Sequence, residues 1–251
     1  MFRHTALALV LASLGFSAHA ALSAGDIALT SFNADEDGLS FVALADIDAN
    51  TTIYFSDNEW NGSAFNTGES YNQWSSGSSV IAAGTVVRLS AYDKTSLSAS
   101  VGTLSRVSVS GSSNWGIANS NETVYAYLGT SATAPTSFLA AITNGSFTAD
   151  GSLTGTGLSE GESAIRLNAY ATSASPDYAE YTGPRTGLTA DAYRALLADA
   201  KNWTVDTANG SYASTVPDTT NFQIAVVPEP ETYALLLAGL GLIGVAARRR
   251  G

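Results

Sequence analysis

The chain has 251 residues and a formal net charge of −11, an acidic excess that repels the phosphates of nucleic acids. It contains no cysteine, and its two histidines, His4 and His19, both lie within the first 20 residues. The remainder therefore lacks the groups for a Ser-His-Asp triad, a Cys-His pair or a histidine zinc site, and any metal would be a hard, oxygen-liganded ion such as calcium.

Residues 1–20 have the three-part pattern of a secretory signal. A basic start containing Arg3 precedes an apolar run, and the segment ends in Ala18-His19-Ala20. Small residues at the last and third-last positions fit the narrow binding pockets of signal peptidase. Because the apolar run is too short to cross a bilayer comfortably, we expect cleavage after Ala20 and export across the inner membrane.

Between residues 21 and 226 the sequence predicts one mainly β domain. Short apolar and β-branched runs are separated by clusters of Gly, Asn, Asp and Ser, a pattern that favours an antiparallel β-sandwich. The predicted strands cover residues 25–32, 39–44, 51–56, 80–83, 85–90, 101–109, 123–128, 164–169 and 222–226. Residues 215–221 are interpreted as a stalk that leads to the last strand.

Two acidic segments are candidate calcium sites. Residues 33–38 bring Asp35 and Asp37 close together before a glycine, and Asp57 begins a second polar segment after the third predicted strand. If the two loops meet at one edge of the sheet, the three carboxylates would supply the oxygen ligands that calcium prefers. The first segment lacks the EF-hand pattern, however, and a solvated acidic turn is the simpler interpretation.

Three tryptophans, Trp60, Trp74 and Trp115, are candidates for a sugar-stacking surface, because aromatic faces pack well against the C–H faces of pyranose rings. Trp74 and Trp115 lie in Gly- and Ser-rich segments that are predicted as loops, which favours exposure. Aromatic residues also fill protein cores, so core packing is the alternative at all three positions.

One α-helix is predicted to dock on the sheets. Thr189 can cap its start, and Asp191 lies in the first turn, where a negative charge is favourable. The residues of its apolar face, at spacings of three and four, are Tyr193, Leu196, Leu197 and Ala200. Asn202 is the predicted end of the helix.

Residues 227–251 contain three parts in order. Pro228-Glu229-Pro230 comes first, an uncharged apolar run follows from Tyr233 to Ala247, and Arg248-Arg249-Arg250 precede the final glycine. As a helix the apolar run reaches about 22 Å, short of a hydrocarbon core of about 30 Å, but snorkelling or local thinning allows it to insert. The arginines would then stop translocation on the cytoplasmic side.

These three parts resemble the PEP-CTERM sorting signal. The resemblance implies that Pro228, Glu229 and Pro230 are recognised by an exosortase, a membrane protease of Gram-negative bacteria that typically also make exopolysaccharide. It implies transient membrane anchoring, cleavage at or near the motif, and release to the cell surface. An ordinary C-terminal anchor that is never processed is the alternative.

The sequence therefore predicts an exported, non-enzymatic cell-surface or extracellular-matrix protein associated with exopolysaccharide. A calcium-assisted carbohydrate-binding module is a second hypothesis, and a carboxylate-based glycosidase or lyase is a third. Glycoside hydrolysis needs an acid and a base or nucleophile at a defined separation. No motif selects such a pair among the many carboxylates, so we assign no catalytic residue.

Overall fold

The computed structural model describes residues 21–170, 175–206, 210–225, 237–240, 243, 245 and 248. The predicted signal cleavage site, with Ala18 and Ala20, lies outside the described residues. So do most of the predicted sorting residues, namely Pro228, Glu229, Pro230, Arg249 and Arg250. Among the residues that the structure does describe, we find no helix with both the length and the apolar character needed to cross a membrane.

The described part of the chain is built mainly from short strands. In chain order these are β1 (Ile27–Asn33), β2 (Gly38–Ala43), β3 (Thr52–Ser56), β4 (Tyr71–Ser75), β5 (Val86–Ser90), β6 (Ser98–Ala99), β7 (Thr103–Arg106), β8 (Thr123–Ser131), β9 (Ala134–Thr143), β10 (Ala164–Arg166), β11 (Tyr178–Tyr181), β12 (Thr186–Leu188), β13 (Trp203–Val205) and β14 (Gln223–Ile224). One α-helix, α1 (Ala190–Leu197), and a 3-10 turn, Ala200–Asn202, lie between β12 and β13.

The strands form two six-stranded sheets. The first has the order β13-β11-β1-β2-β5-β6, and the second has the order β10-β9-β8-β3-β4-β7. Neighbouring strands in these sheets are antiparallel except for β9 and β10. β12 and β14 make a separate parallel pair. The prediction of a mainly β, antiparallel domain is therefore confirmed.

The two sheets pack face to face around aromatic side chains. Phe41 on β2 lies 5.3 Å from Trp74 on β4 and 5.8 Å from Phe55 on β3, measured between ring centroids. Every residue of β2 is buried, as its mostly apolar sequence indicates for a strand that is covered on both faces. The long core side chains from both sheets thus fill the space between them.

The helix begins as predicted but ends early. Thr189 caps it, because the Thr189 hydroxyl accepts the N–H of Ala192 at 3.3 Å. The helix ends at Leu197 rather than Asn202 because Asp199 starts a new turn, its carboxylate accepting the N–H of Lys201 at 3.0 Å.

Several strands were not predicted. β4 lies in a segment that was predicted as a loop, and no strand was predicted for β9, β11 or β13. β11 and β13 join the edge of the first sheet beside β1. Conversely, residues 80–83 were predicted as a strand, but Ile81 makes only an isolated bridge to Ile47.

Candidate functional site

The acidic turn between β1 and β2 does not combine with Asp57. Asp35 Oδ2 accepts the N–H of Tyr212 at 2.6 Å, whereas Asp37 Oδ1 accepts the N–H of Ile117 at 2.6 Å. Asp57 lies at the end of β3 and makes neither contact. Within the described ranges, no three His, Cys, Asp or Glu side chains are grouped so that they could hold a metal ion. The structure thus places the three predicted calcium ligands in separate environments.

Asp57 lies in the interior of the domain, directly after Ser56, the last residue of β3. Its side chain is 2% exposed, and Oδ1 accepts the N–H and the O–H of Ser70 at 2.7 and 2.8 Å. Burial raises the pKa of Asp57 to about 7, and the charge of Glu69 adds to the increase.

Glu122 is a second buried carboxyl group near the same end of the domain. It is 3% exposed, and its two carboxyl oxygens accept the N–H groups of Ala118 and Thr123 at 3.0 and 3.1 Å. Burial raises the pKa of Glu122 to about 9, with a further contribution from the charge of Asp57. Glu122 is therefore protonated at neutral pH, and neither carboxyl group is within reach of a polymer in solution.

The three tryptophans do not form a common surface. Trp74 is 0% exposed on β4, and its Nε1 donates to the carbonyl of Val101 at 2.7 Å, so its predicted position in an exposed loop is wrong. Trp60 is also buried and packs against Phe138 at 5.0 Å. Trp115 is half-buried, with the guanidinium of Arg106 over its ring at 4.1 Å. Core packing thus accounts for Trp60 and Trp74.

The aromatic side chain that the described structure leaves exposed is Tyr170, at 59%. It borders an open groove between residues 160–170 and α1 with the turn that follows it, which we call the α1 groove. The groove is lined by Glu160, Arg166, Tyr170, Ala195, Ala198 and Asp199, and its cavity volume is about 420 Å³. Tyr170 was not predicted as a site residue, because the sequence around it does not distinguish it from the buried tyrosines.

The chain remains docked on the domain close to its C-terminal tail. Arg185 donates through Nη1 to the carbonyl of Thr220 at 2.9 Å, and its guanidinium lies 4.8 Å from the ring of Phe222. The N–H of Ala225 then bonds to the carbonyl of Leu188 at 2.8 Å. Residues 218–225 are therefore attached to the domain, and the prediction of a stalk over residues 215–221 is wrong for its C-terminal half.

Comparison with known families identifies the segment that follows Ala225. A PEP-CTERM protein-sorting motif matches residues 226–250, which include Pro228, Glu229, Pro230 and the three arginines. No curated protein and no solved structure shows significant similarity to the chain. The chain carries a PEP-CTERM sorting signal, the mark of an exported protein that an exosortase sorts to the cell surface or the extracellular space.

Proposed function

We propose that the β-sandwich domain is a non-enzymatic surface or matrix protein that associates with the exopolysaccharide of the producing cell. The observation that carries this proposal is the sorting motif at residues 226–250. In the proposed sequence of events, the tail holds the exported chain transiently in the membrane. An exosortase then cleaves at or near Pro228-Glu229-Pro230 and releases the domain.

The position of the motif supports release of an intact domain. The last hydrogen-bonded residue before the motif is Ala225, directly before the matched segment begins at residue 226. A cut at Pro228-Glu229-Pro230 therefore removes the apolar tail and leaves every strand of the described residues intact. The folded domain would leave the membrane with its core complete.

The chemistry of the domain supports a non-enzymatic role. Residues 21–251 contain no histidine and no cysteine, so general acid–base catalysis would depend on carboxyl groups. The two carboxyl groups with the largest increases in pKa, those of Glu122 and Asp57, are almost completely buried. A glycosidase needs two carboxyl groups that face the scissile bond from an accessible cleft.

Processing can be tested with a matched pair of variants in cells that have an active exosortase. Glu229→Gln removes the charge inside the Pro-Glu-Pro motif, whereas Glu231→Gln makes the same change two residues later. We expect wild type and Glu231→Gln to lose the tail and Glu229→Gln to accumulate with it. An intact tail on the wild-type protein in these cells would refute exosortase processing.

Association is tested separately, by retention of the protein from the producing cells on a column of their own exopolysaccharide. The proposal predicts retention of the wild-type protein. If the protein passes through unretained, association with exopolysaccharide is refuted, while the sorting of the protein stands.

A further inference from the structure

The α1 groove is open to solvent and lies beside a second cavity. Its volume is about 420 Å³, that of the second cavity is about 310 Å³, and both are lined by Gly161 and Ala195. Each volume falls within the range of about 300–1,000 Å³ that is typical of ligand sites. Because the groove is open to solvent, it can admit a segment of a polymer.

Tyr170 provides a fixed aromatic surface at one side of this groove. Its hydroxyl donates to Asp199 Oδ1 at 3.1 Å, and Lys201 Nζ lies 4.8 Å from the centroid of its ring. These two contacts hold the ring in place although 59% of the residue is in water. An aromatic ring that is already oriented loses little conformational entropy when a flat apolar surface, such as the C–H face of a pyranose, packs on it.

Hydrogen-bonding groups surround the ring. Glu160 and Arg166 form an ion pair, with Oε1 and Nε 2.9 Å apart, and both side chains are partly exposed. The guanidinium has further N–H donors, and the carboxylate has further lone pairs, so the pair can bond to hydroxyl groups in both directions. Sugar hydroxyls both donate and accept hydrogen bonds, so they are suited to a pair that offers donors and acceptors together.

The charges of the groove favour a neutral ligand. At the Tyr170 end, the carboxylates of Glu160 and Asp199 are balanced by Arg166 and Lys201, the cation over the Tyr170 ring. The whole chain has a net charge of −11, which repels polyanions at long range. At the Tyr170 end, a neutral polymer therefore encounters neither an uncompensated charge nor this long-range repulsion.

We propose that the α1 groove binds a segment of a neutral polysaccharide, with Tyr170 as the stacking platform and the Glu160–Arg166 pair as hydrogen-bonding partner. This inference rests on the proposed association with exopolysaccharide, and it assigns that association to one site. The site differs from the tryptophan surface that the sequence predicted, because the fold buries Trp60 and Trp74 and leaves Tyr170 exposed.

The test measures retention of the purified protein on the immobilised exopolysaccharide of the producing cells. Tyr170→Ala removes the platform, and we expect about tenfold weaker binding, equivalent to about 1.4 kcal/mol. Tyr170→Phe keeps the ring and loses only the hydrogen bond to Asp199, so we expect a smaller effect, of about threefold. Val216→Ala is the control, since Val216 is 65% exposed and does not line the groove.

A second variant blocks the groove without touching the platform. Ala195 is exposed on α1 and lines both cavities, and Gln is a good helix former without charge, so Ala195→Gln fills the groove and leaves the helix intact. We expect it to weaken retention about as much as Tyr170→Ala. Unchanged thermal unfolding of each variant shows that the loss of retention does not come from unfolding.

The outcomes separate this inference from the proposed function. Retention of wild type together with equal retention of Tyr170→Ala and Ala195→Gln overturns the groove assignment and leaves the association intact. If wild type itself is not retained, the association and the ligand assigned to the groove both fail. Retention that disappears in high salt would overturn the neutral ligand, because salt screens ionic contacts and leaves stacking in place.

Discussion

Replacing Asp57 with Asn tests the electrostatics of the domain interior. The Asn carbonyl oxygen can accept the same two bonds from Ser70 that Asp57 Oδ1 accepts at 2.7 and 2.8 Å. The other oxygen, Oδ2, is buried and has no hydrogen-bond partner among the described residues. The substitution therefore removes the ionisable group and keeps both bonds from Ser70, while the two buried N–H donors of the Asn amide add a cost that is the same at every pH.

The direction of the pKa shift determines whether the ionisation of Asp57 stabilises or destabilises the folded protein. Burial raises the pKa of Asp57 from about 3.8 to about 7, so the folded protein keeps a proton that the unfolded chain loses. The free energy of unfolding consequently falls as the pH rises from about 4 to about 7. Asn is neutral throughout, so Asp57→Asn removes this loss.

The size of the pKa shift of Asp57 sets an upper limit on the change in the free energy of unfolding. About three pH units at about 1.4 kcal/mol each give an upper limit of about 4 kcal/mol at pH 8. Since buried sites respond as if their effective dielectric constant were about 20, we expect roughly half of this limit. The stability of Asp57→Asn relative to wild type should therefore be about 2 kcal/mol higher at pH 8 than at pH 4.

Urea unfolding at pH 4, 6 and 8, followed by tryptophan fluorescence, measures this difference. Asp46→Asn is the control, because Asp46 is an exposed carboxylate whose Oδ1 accepts the N–H of Ala83 at 2.8 Å. Its effect should stay below about 0.5 kcal/mol at each pH, as is usual for surface positions. If the stability of Asp57→Asn relative to wild type were lower at pH 8 than at pH 4, the reasoning would be refuted, since the folded structure would then stabilise the ionised carboxylate.

Three further predictions concern packing, the C-terminal segment and calcium. Trp74→Ala should lower the free energy of unfolding by about 3–5 kcal/mol in the same urea assay, because Trp74 fills the space between the sheets; a cost below about 1 kcal/mol would contradict this packing. Arg185→Ala should speed protease cleavage within residues 218–225, which Arg185 holds on the domain. Equal cleavage rates for wild type and this variant would show that Arg185 does not fasten the segment. Retention on exopolysaccharide should not change when a calcium chelator is added, because Asp35, Asp37 and Asp57 lie in separate environments. Loss of retention on chelation would instead favour the hypothesis of a calcium-assisted carbohydrate-binding module.

The elements that could be predicted are those whose apolar pattern or capping residue lies within the element itself. β2 has a mostly apolar sequence, and the start of α1 has a capping threonine, so both were located within one or two residues. β4 was missed because the polar Asn72 lies on the buried face beside Trp74 and interrupts the apolar pattern. The β11 strand exists through its pairing with β1, about 150 residues earlier, which no local pattern contains.

The candidate site was harder to predict than the fold. The Gly- and Ser-rich neighbours of Trp74 indicate a loop, but burial depends on the opposite sheet, which supplies Phe41. The exposure of Tyr170 likewise depends on where α1 lies, and α1 begins 20 residues further along the chain. The sorting motif is different, because its three parts are contiguous and do not depend on tertiary structure.

The most direct test of the account is the intact mass of the protein recovered from producing cells that have an active exosortase. The account predicts a chain that begins at Ala21 and ends at or near Pro228-Glu229-Pro230, so that the arginines at 248–250 are absent. It also predicts that deletion of the exosortase restores the tail. A mature protein that still carries residues 231–251 in the presence of the active enzyme would contradict the account.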